Sequence, residues 1–226
     1  MTAFYDELET RSASDRETAQ LAAVNAQLDA LRAHDPAFSS YASLTSLSDL
    51  ATLPVMRKQD LHERQASNPP FGGLLTRNAT HVFQSPGPIY EPGGGSRDWW
   101  RFARFLHACG IGADDIVQNC FGYHLTPAGT MFENGARAVG AAVLPAGTGQ
   151  TELQVRAAAD IGTTAYAGTP DYLKVILEKA DTMGETLKIT KAAVSGGALF
   201  PQLRDYYTDR GITCICLLYT SDAADD

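Results

Sequence analysis

The chain has 226 residues, of which 44% are apolar and 19% charged, and its formal net charge is −8. This composition supports a folded core, and the length predicts one ordinary domain or two small ones. The negative charge argues against a nucleic-acid partner, because phosphate binding requires a basic surface. No apolar run reaches the length of a membrane span, and the acidic amino terminus does not resemble a secretory signal. We therefore expect a cytoplasmic protein without a membrane partner.

The first third of the chain is predicted to be helical. Helices are expected at 4–11 and 15–34, and the second carries an apolar stripe formed by Leu21, Val24, Leu28 and Leu31. A short helix at 46–54 ends at a proline, and another begins within 55–61. Together these elements define an N-terminal helical segment over residues 1–79.

Short apolar runs alternate with amphipathic stretches from residue 80 onward. Strands are predicted at 80–84, 115–121, 140–144, 163–167, 190–195 and 212–215. Helices are predicted at 97–109, 127–138, 150–160, 170–182 and 200–210. This alternation is typical of an α/β fold, with a mainly parallel sheet covered by helices on both faces. We assign that fold to residues 80–215.

Four cysteines occur in the chain, two of them separated by a single residue, at Cys109, Cys120, Cys214 and Cys216. Zinc sites use wider spacings and neighbouring histidines, so this pattern does not indicate a metal site. We interpret the cysteines as small buried apolar residues in a reducing compartment.

The last residues, 216–226, resemble translated read-through of a sequencing-library adapter. We expect them to be a non-native tail and exclude them from fold reasoning. A natural polar tail is the alternative.

A glycine-rich stretch at 92–96, Pro-Gly-Gly-Gly-Ser, precedes the predicted helix at 97–109. Glycines let the backbone approach a ligand, a helix start offers unpaired N–H groups to an anion, and Arg97 adds a cation. The pattern fits a phosphate cradle. It also fits a flexible loop in which Ser96 caps the helix and Asp98 favours its dipole, and composition alone favours this second interpretation.

Four later segments each run from an apolar stretch into Gly, Thr, Ser or Pro. They read Phe-Gly-Tyr-His-Leu-Thr-Pro-Ala-Gly at 121–129, Gly-Ala-Ala-Val-Leu-Pro-Ala-Gly-Thr-Gly-Gln-Thr-Glu at 140–152, Ala-Gly-Thr-Pro-Asp-Tyr-Leu at 167–173 and Ala-Val-Ser-Gly-Gly-Ala-Leu-Phe-Pro at 193–201. Strands whose carboxyl ends feed helices show this pattern. Ligands of open α/β sheets bind at those ends.

In order and spacing, these segments resemble the N-terminal region of the phenylacetate-CoA ligase family, within the adenylate-forming (AMP-binding) superfamily. The segment at 121–129 resembles Tyr-Gly-Tyr-Gly-Leu-Phe-Thr-Gly-Gly, which lines the acid pocket of that family. The one at 140–152 resembles Ile-Pro-x-Ser-Gly-Gly-x-Thr-Glu. The one at 193–201 resembles Gly-Ala-Glu-Pro or Gly-Gly-Ala-Pro, which packs against adenine and the acyl group. The resemblance covers most of the chain from about Leu53 and implies a truncated adenylate-forming N-terminal domain.

The resemblance implies two sets of contact residues. The substrate-binding set is Phe121, Tyr123, His124, Thr126, Gly196 and Ala198. The nucleotide-binding set is Ser85, Gly87, Ser195, Gly196, Gly197 and Ala198. Aromatic walls and side-chain-free glycines suit a ring-shaped ligand. His124 stands where the family has glycine, so a surface or hydrogen-bonded role stays open for it. No residue is assigned a catalytic role, and no metal ligand is predicted.

The phosphate loop departs from the family pattern. Adenylate-forming enzymes carry Ser-Ser-Gly-Thr-Thr-Gly followed by Lys or Pro, whereas this chain reads Gln-Ser-Pro-Gly-Pro at 84–88. Ser85 and Gly87 match the first Ser-x-Gly. The paired threonines and the lysine have no counterpart, and Pro86 and Pro88 lack N–H donors.

The implied reaction activates a carboxylic acid, of the aryl or arylacetic class, with ATP and Mg²⁺ to give an acyl-adenylate and pyrophosphate. Coenzyme A then displaces AMP. The resemblance implies that this reaction belongs to the breakdown of aromatic acids. The partners are therefore a small acid, ATP and CoA, and a homodimer stays open. Because the family's Tyr-Gly-x-x-Glu segment, ribose-binding Asp and late lysine have no match here, we expect this chain alone to be inactive.

Two alternatives remain. One is a ligase-derived module that binds an acid or nucleotide without activating it, which the altered phosphate loop favours. The other is an unrelated doubly wound nucleotide-binding enzyme. Against it, the sequence contains neither Gly-x-Gly-x-x-Gly after a strand nor Gly-x-x-x-x-Gly-Lys-Ser/Thr.

Overall fold

The structure, a computed structural model, describes residues 3–74 and 78–217. The described chain divides into two compact units. The first, Asp6–Gly95, is called the hairpin unit. The second combines the described residues of Met1–Tyr5 and Ser96–Asp226 and is called the sheet unit.

The hairpin unit contains two helices and a two-stranded antiparallel hairpin. They are α1 (Ala13–His34), α2 (Lys58–Ser67), β1 (His81–Ser85) and β2 (Ile89–Gly93), with 3₁₀ turns at Glu7–Thr10, Pro36–Phe38 and Leu47–Thr52. Helix α1 begins after Ser12, whose side chain accepts a hydrogen bond from the Asp15 amide. Leu28, from the predicted apolar stripe, is buried.

Strand β1 was predicted, but as part of the parallel sheet, and β2 was not predicted. In the structure β1 pairs antiparallel with β2, with Ser85 opposite Ile89. Proline is scarce inside strands, and Pro92 within β2 hid it from a propensity argument. Helix α2 packs on this hairpin: the buried Gln65 side chain donates to the Tyr90 carbonyl (2.7 Å) and accepts from the Tyr90 amide (2.9 Å).

The sheet unit is built on five parallel strands in the order β4-β3-β5-β6-β7. The strands are β3 (Ile116–Asn119), β4 (Ala142–Leu144), β5 (Ala165–Gly168), β6 (Lys191–Val194) and β7 (Thr213–Cys216). The helices are α3 (Ala103–Ala108), α4 (Ala128–Ala138), α5 (Thr151–Ile161), α6 (Pro170–Met183) and α7 (Pro201–Asp209). The predicted α/β class and parallel sheet are confirmed.

Both faces of the sheet are covered. Successive strand residues point to opposite faces, and along β5 Ala165 and Ala167 pack with α3 and α4 residues such as Leu106 and Phe132. The intervening Tyr166 packs on the other face with α6 and α7 residues that include Leu173. Two separate cores, one on each side, therefore hold the strands between layers of helices.

One predicted helix is wrong in its first half. Helix α3 begins at Ala103 instead of Arg97. Asp98 and Arg101 adopt positive φ angles of 146° and 60°, which a right-handed helix does not contain. The Asp98 carboxylate instead accepts from the Ala103 amide at 3.2 and 3.3 Å, which closes the turn before the helix.

All four cysteines are free and buried, as predicted. Burial raises the pKa of Cys109, Cys120 and Cys214 to about 12, so these thiols are protonated at neutral pH. Cys216, the first residue of the predicted tail, ends β7 opposite Val194. Residues 218–226 of that tail lie outside the described residues.

Candidate ligand-binding site

The carboxyl ends of β3, β5 and β6 lie at one edge of the sheet, called the carboxyl edge. Three segments leave the strands there: 120–127 after β3, Thr169 after β5, and 195–200 after β6. Because β5 lies between the other two strands, Thr169 is central. Open parallel sheets bind ligands at this end.

Phe121 and Gly196, predicted from separate motifs, converge on Thr169. A Cβ atom at Gly196 would lie 3.9 Å from Phe121 Cε1 and 3.7 Å from Thr169 Cγ2. Gly196 has a φ of +73°, a backbone conformation that favours glycine. The Phe121 ring is half-buried and stacks on Phe132, with centroids 4.2 Å apart. An aromatic ring, a threonine side chain and a glycine backbone therefore meet at one place.

The turn after β3 is fixed by Asn119, which is fully buried. Its Nδ2 donates to the Tyr123 hydroxyl and to the Gly129 carbonyl, each at 2.8 Å, and its Oδ1 accepts from the Phe121 amide at 3.2 Å. A Cβ at Gly129 would lie 2.7 Å from the Gly122 carbonyl oxygen, so this glycine permits the close approach. The turn that presents Phe121 is consequently held in one conformation.

Tyr123 lies half-buried against Gly129. Burial raises the pKa of Tyr123, and the nearby Glu133 carboxylate raises it further. The phenol therefore stays neutral and serves as an aromatic wall with one hydrogen-bonding oxygen. No proton transfer at neutral pH is expected from it.

His124 and Leu125 form the exposed tip of the same turn. Leu125 has a φ of +61° and leaves 69% of its surface exposed, an unusual position for a large apolar residue. Helix α4 was predicted to begin at Pro127, but it begins at Ala128, with Pro127 rather than Thr126 at the N-cap. The chain turns tightly before the helix, with the Thr126 amide donating to the His124 carbonyl at 2.7 Å.

Thr169 is the N-cap of α6 and Pro170 is its first residue, where the helix was predicted to begin. Their carbonyls accept hydrogen bonds from two fully buried phenols, Tyr166 to Thr169 (3.0 Å) and Tyr207 to Pro170. A Cβ at Gly197 would lie 3.4 Å from Pro170 Cδ, so the 195–198 corner packs directly on this start of α6.

Three hydroxyls at the carboxyl edge make no hydrogen bond within residues 3–74 and 78–217. They belong to Thr126, Thr169 and Ser195, and all three residues are half-buried. A half-buried hydroxyl that bonds to no protein group is available to a ligand.

The side chains that hold the loop after β4 were not predicted from the sequence. Gln154 of α5, which is buried, donates from Nε2 to the carbonyls of Gly149 (2.7 Å) and Gly147 (3.0 Å). Its Oε1 accepts from Gln118 Nε2 at 3.0 Å, and the Tyr172 hydroxyl also donates to the Gly149 carbonyl. The glycine-rich turn at 147–149 is thus pinned from two helices. The hydrogen bond between Gln118 and Gln154 joins residues far apart in the sequence, so no local pattern indicated it.

Two predicted nucleotide-binding residues lie in the hairpin unit. Ser85 ends β1 and Gly87 lies in the turn to β2, so both belong to the β1–β2 connection. Within the described chain the Ser85 hydroxyl makes no hydrogen bond. Arg97 does not form a phosphate cradle: its guanidinium donates to the Ala138 carbonyl at the end of α4 (2.6 Å).

Two further properties of the described residues bear on function. Nowhere in 3–74 or 78–217 do three or more His, Cys, Asp or Glu side chains form a group suited to a metal ion. The helices of this part of the chain are all too short or too polar to cross a membrane.

Fold comparison identifies the architecture as that of the adenylate-forming ligases. 2-Hydroxyisobutyryl-CoA ligase, in the postadenylation state in complex with 2-HIB-AMP, superposes with a TM-score of 0.79 at 25% identity. The match covers 90% of this chain and 48% of that one. The same ligase in complex with 2-HIB-AMP and CoA in the thioesterification state gives a TM-score of 0.78 over 92% of this chain and 49% of that one, at 24% identity.

Curated relatives in sequence carry one name, phenylacetate-coenzyme A ligase. The chain is 33% identical over 150 residues to the protein of Aromatoleum evansii, a match to 62% of this chain and 33% of that one. It is 31% identical over 144 residues to the protein of Escherichia coli, and this match covers 60% of this chain and 32% of that one. No family model matches the chain. The predicted resemblance to this ligase family is confirmed, and the chain spans about a third of the length of these relatives.

Proposed function

We propose that this chain is the acid- and nucleotide-binding part of an ATP-dependent acyl-CoA ligase. In the proposed reaction a substrate carboxylate oxygen attacks the α-phosphorus of ATP and pyrophosphate leaves, which gives an acyl-adenylate. The thiolate of CoA then attacks the acyl carbon, and AMP leaves. The convergence of Phe121, Thr169 and Gly196 at the carboxyl edge carries this proposal, because it joins three motifs around one place.

The acid is proposed to bind against the turn after β3. Phe121, backed by Phe132, offers a flat apolar surface, and Tyr123 adds a second ring. Thr126 and His124 supply polar groups for the carboxylate, while Gly196 and Ala198 leave room for the acyl group. Two aromatic walls favour an aryl or arylacetic acid over a small aliphatic one.

The nucleotide is proposed to contact the corner after β6 in the sheet unit. Ser195 and Gly196–Ala198 present a hydroxyl and bare backbone, which suit adenine and ribose phosphate. Ser85 and Gly87 are the candidates for the phosphates. Mg²⁺ would offset charge on the transferring phosphates and CoA would accept the acyl group. We assign residues 80–215 to this binding role and 1–79 to the helical segment before it.

The test measures binding of phenylacetate and of ATP by titration calorimetry. Phe121→Ala should weaken phenylacetate binding about tenfold, because a buried ring face is lost. Phe105→Ala is the matched control, since Phe105 also packs on Phe132, with ring centroids 6.2 Å apart, but belongs to α3. Equal losses for both variants would mean that Phe121 acts only through packing. ATP–pyrophosphate exchange should be absent from the 226-residue chain, and turnover would contradict that expectation.

A second candidate is a binding module that holds acid or nucleotide without activating it. The β1–β2 turn favours it, because Pro86 and Pro88 offer no N–H to a phosphate and the turn contains no lysine. The two candidate functions can be distinguished with a longer protein, in which this chain is joined to the remaining segments of its relatives. Tight acid and ATP binding without pyrophosphate exchange would support the binding module.

A further inference from the structure

One face of helix α2 is directed at the β1–β2 hairpin. Lys58, His62 and Gln65 recur at spacings of four and three, which places them on the same side of the helix. Gln65 is bonded to both backbone groups of Tyr90, and His62 Nδ1 lies 3.0 Å from the Pro88 carbonyl oxygen.

Lys58 completes this row and lies over the turn itself. Its Cε atom is 3.5 Å from the position that a Cβ at Gly87 would occupy. Unlike the side chains of its two neighbours on the row, the Lys58 side chain forms no hydrogen bond or ion pair with any described residue. The Ser85 hydroxyl, at the start of the same turn, is also without a partner among the described residues. An unpaired cation and an unpaired hydroxyl therefore flank one glycine.

The turn needs such a cation if it is to hold phosphate. Pro86 and Pro88 have no N–H group, so Gly87 supplies the only backbone donor between Ser85 and Ile89. Phosphate loops normally combine several backbone N–H groups with a lysine. Because the loop itself lacks both, any compensating donor must come from another element, and the first turn of α2 provides one.

We propose that Lys58 binds the polyphosphate chain of ATP at the β1–β2 turn, together with the Ser85 hydroxyl. The proposal rests on the nucleotide binding proposed above and names the residue that replaces the missing loop lysine. A lysine ammonium is a compact charge on a flexible stem, so Lys58 reaches a phosphate without any change in the hairpin.

Lys58 has a structural alternative, in which its methylene stem simply covers Gly87. Lys58→Met distinguishes the two roles, because methionine keeps an apolar stem and loses the charge. Lys58→Arg keeps a cation. Lys188→Met is the matched control: Lys188 also lies against a glycine, with its Nζ 3.7 Å from a Cβ at Gly162, and is likewise unpaired within the described residues. Lys188 belongs to the sheet unit, outside the turn.

The experiment titrates the 226-residue protein and its variants with ATP, with AMP and with inorganic pyrophosphate. Lys58→Met should lower the affinity for ATP and pyrophosphate about tenfold, the usual effect of losing one charged hydrogen bond. AMP affinity should stay unchanged, because the β- and γ-phosphates are absent. Lys58→Arg should retain most of the ATP affinity, and Lys188→Met all of it. Thermal melting should show the same midpoint for all four proteins.

Three results would overturn the proposal. Equal ATP affinity in the native protein and Lys58→Met would leave nucleotide binding standing and remove Lys58 from it. An equal loss of AMP and ATP affinity would show that the substitution acts through the fold. Binding of neither nucleotide by the native protein would refute the proposed function and this inference together.

Discussion

The two edges of the parallel sheet differ in whether their polar side chains have hydrogen-bond partners. At the amino edge, before β3, β5 and β6, the Asp115 carboxylate accepts from both Lys191 Nζ (2.9 and 2.8 Å) and Thr164 Oγ1 (2.8 Å). It also accepts from the Gly112 amide, and Thr164 in turn accepts from the Ile116 amide at 3.0 Å. Every group of this cluster has a partner, and Asp115 is 5% exposed.

The carboxyl edge presents the opposite arrangement. Its hydroxyls, on Thr126, Thr169 and Ser195, make no hydrogen bond to any described residue, although the backbone that carries them is fixed by Asn119 and Tyr166. A network that satisfies itself contributes to stability, whereas fixed but unpaired groups are suited to a ligand. The amino edge therefore contributes to stability, and the carboxyl edge is the one proposed to bind a ligand.

The largest effect is expected from Asp115→Ala, which should break the amino-edge cluster. It leaves Lys191 without its carboxylate and two further donors without an acceptor, so the free energy of unfolding should fall by about 3 kcal/mol. Urea denaturation measures this change. Asp181→Ala is the control, because the Asp181–Arg210 pair is exposed and its loss should leave the urea midpoint unchanged. A loss below about 1 kcal/mol for Asp115→Ala would deny this edge its stabilising role.

Two threonine variants test the two edges separately, because each removes one hydroxyl with little change of shape. Thr164→Val at the amino edge takes a donor from Asp115 and an acceptor from the Ile116 amide, so it should cost about 1–2 kcal/mol of unfolding free energy. Thr169→Val removes no protein hydrogen bond and should change stability by less than about 0.5 kcal/mol.

Binding should respond in the reverse order. Thr169→Val should weaken phenylacetate or ATP binding by about fivefold, since a neutral hydrogen bond contributes about 1 kcal/mol. Thr164→Val should bind both as the native protein does at a temperature where it is folded. Calorimetric titration of the two variants, with urea melts alongside, checks both expectations. If Thr169→Val proved the less stable of the two, the division between the edges would be wrong.

The sequence was sufficient to predict the strands and turns that carry the candidate site, but not all of the contacts within it. Alternating apolar runs predicted six strands, and five of them form the parallel sheet. The topology brings the carboxyl ends of these five together, so Phe121 and Gly196 fall at one edge. These are consequences of local pattern and chain connectivity. Both can be read without knowing any side-chain contact.

Contacts between residues far apart in the chain could not be predicted from the sequence. The Gln118–Gln154 bond and the position of Lys58 over Gly87 join residues with no local signal. Unusual backbone conformations could not be predicted either. Arginine has a good helix propensity, so nothing in the sequence indicated that Arg101 would adopt a positive φ and that α3 would begin only after it.

The smallest effect concerns pH and isolates the amino edge. Burial alone would raise the pKa of Asp115, but hydrogen bonds from Lys191, Gly112 and Thr164 outweigh it and hold that pKa below its ordinary value of 3.8. The ionised carboxylate therefore stabilises the fold above about pH 4, and this contribution is lost as the pH falls through the lowered pKa.

Urea midpoints of the native protein and Asp115→Asn, measured from pH 7 to pH 3, test this. The gap between them should be constant down to about pH 4 and then narrow, because protonation makes the native carboxyl resemble the amide. Asp49 and Asp181 also have lowered pKa values, but both are present in the two proteins and cancel in the difference. A gap that stays constant to pH 3 would mean that the Asp115 charge contributes nothing beyond the shape of its hydrogen bonds, and the amino edge would then owe its stability to packing.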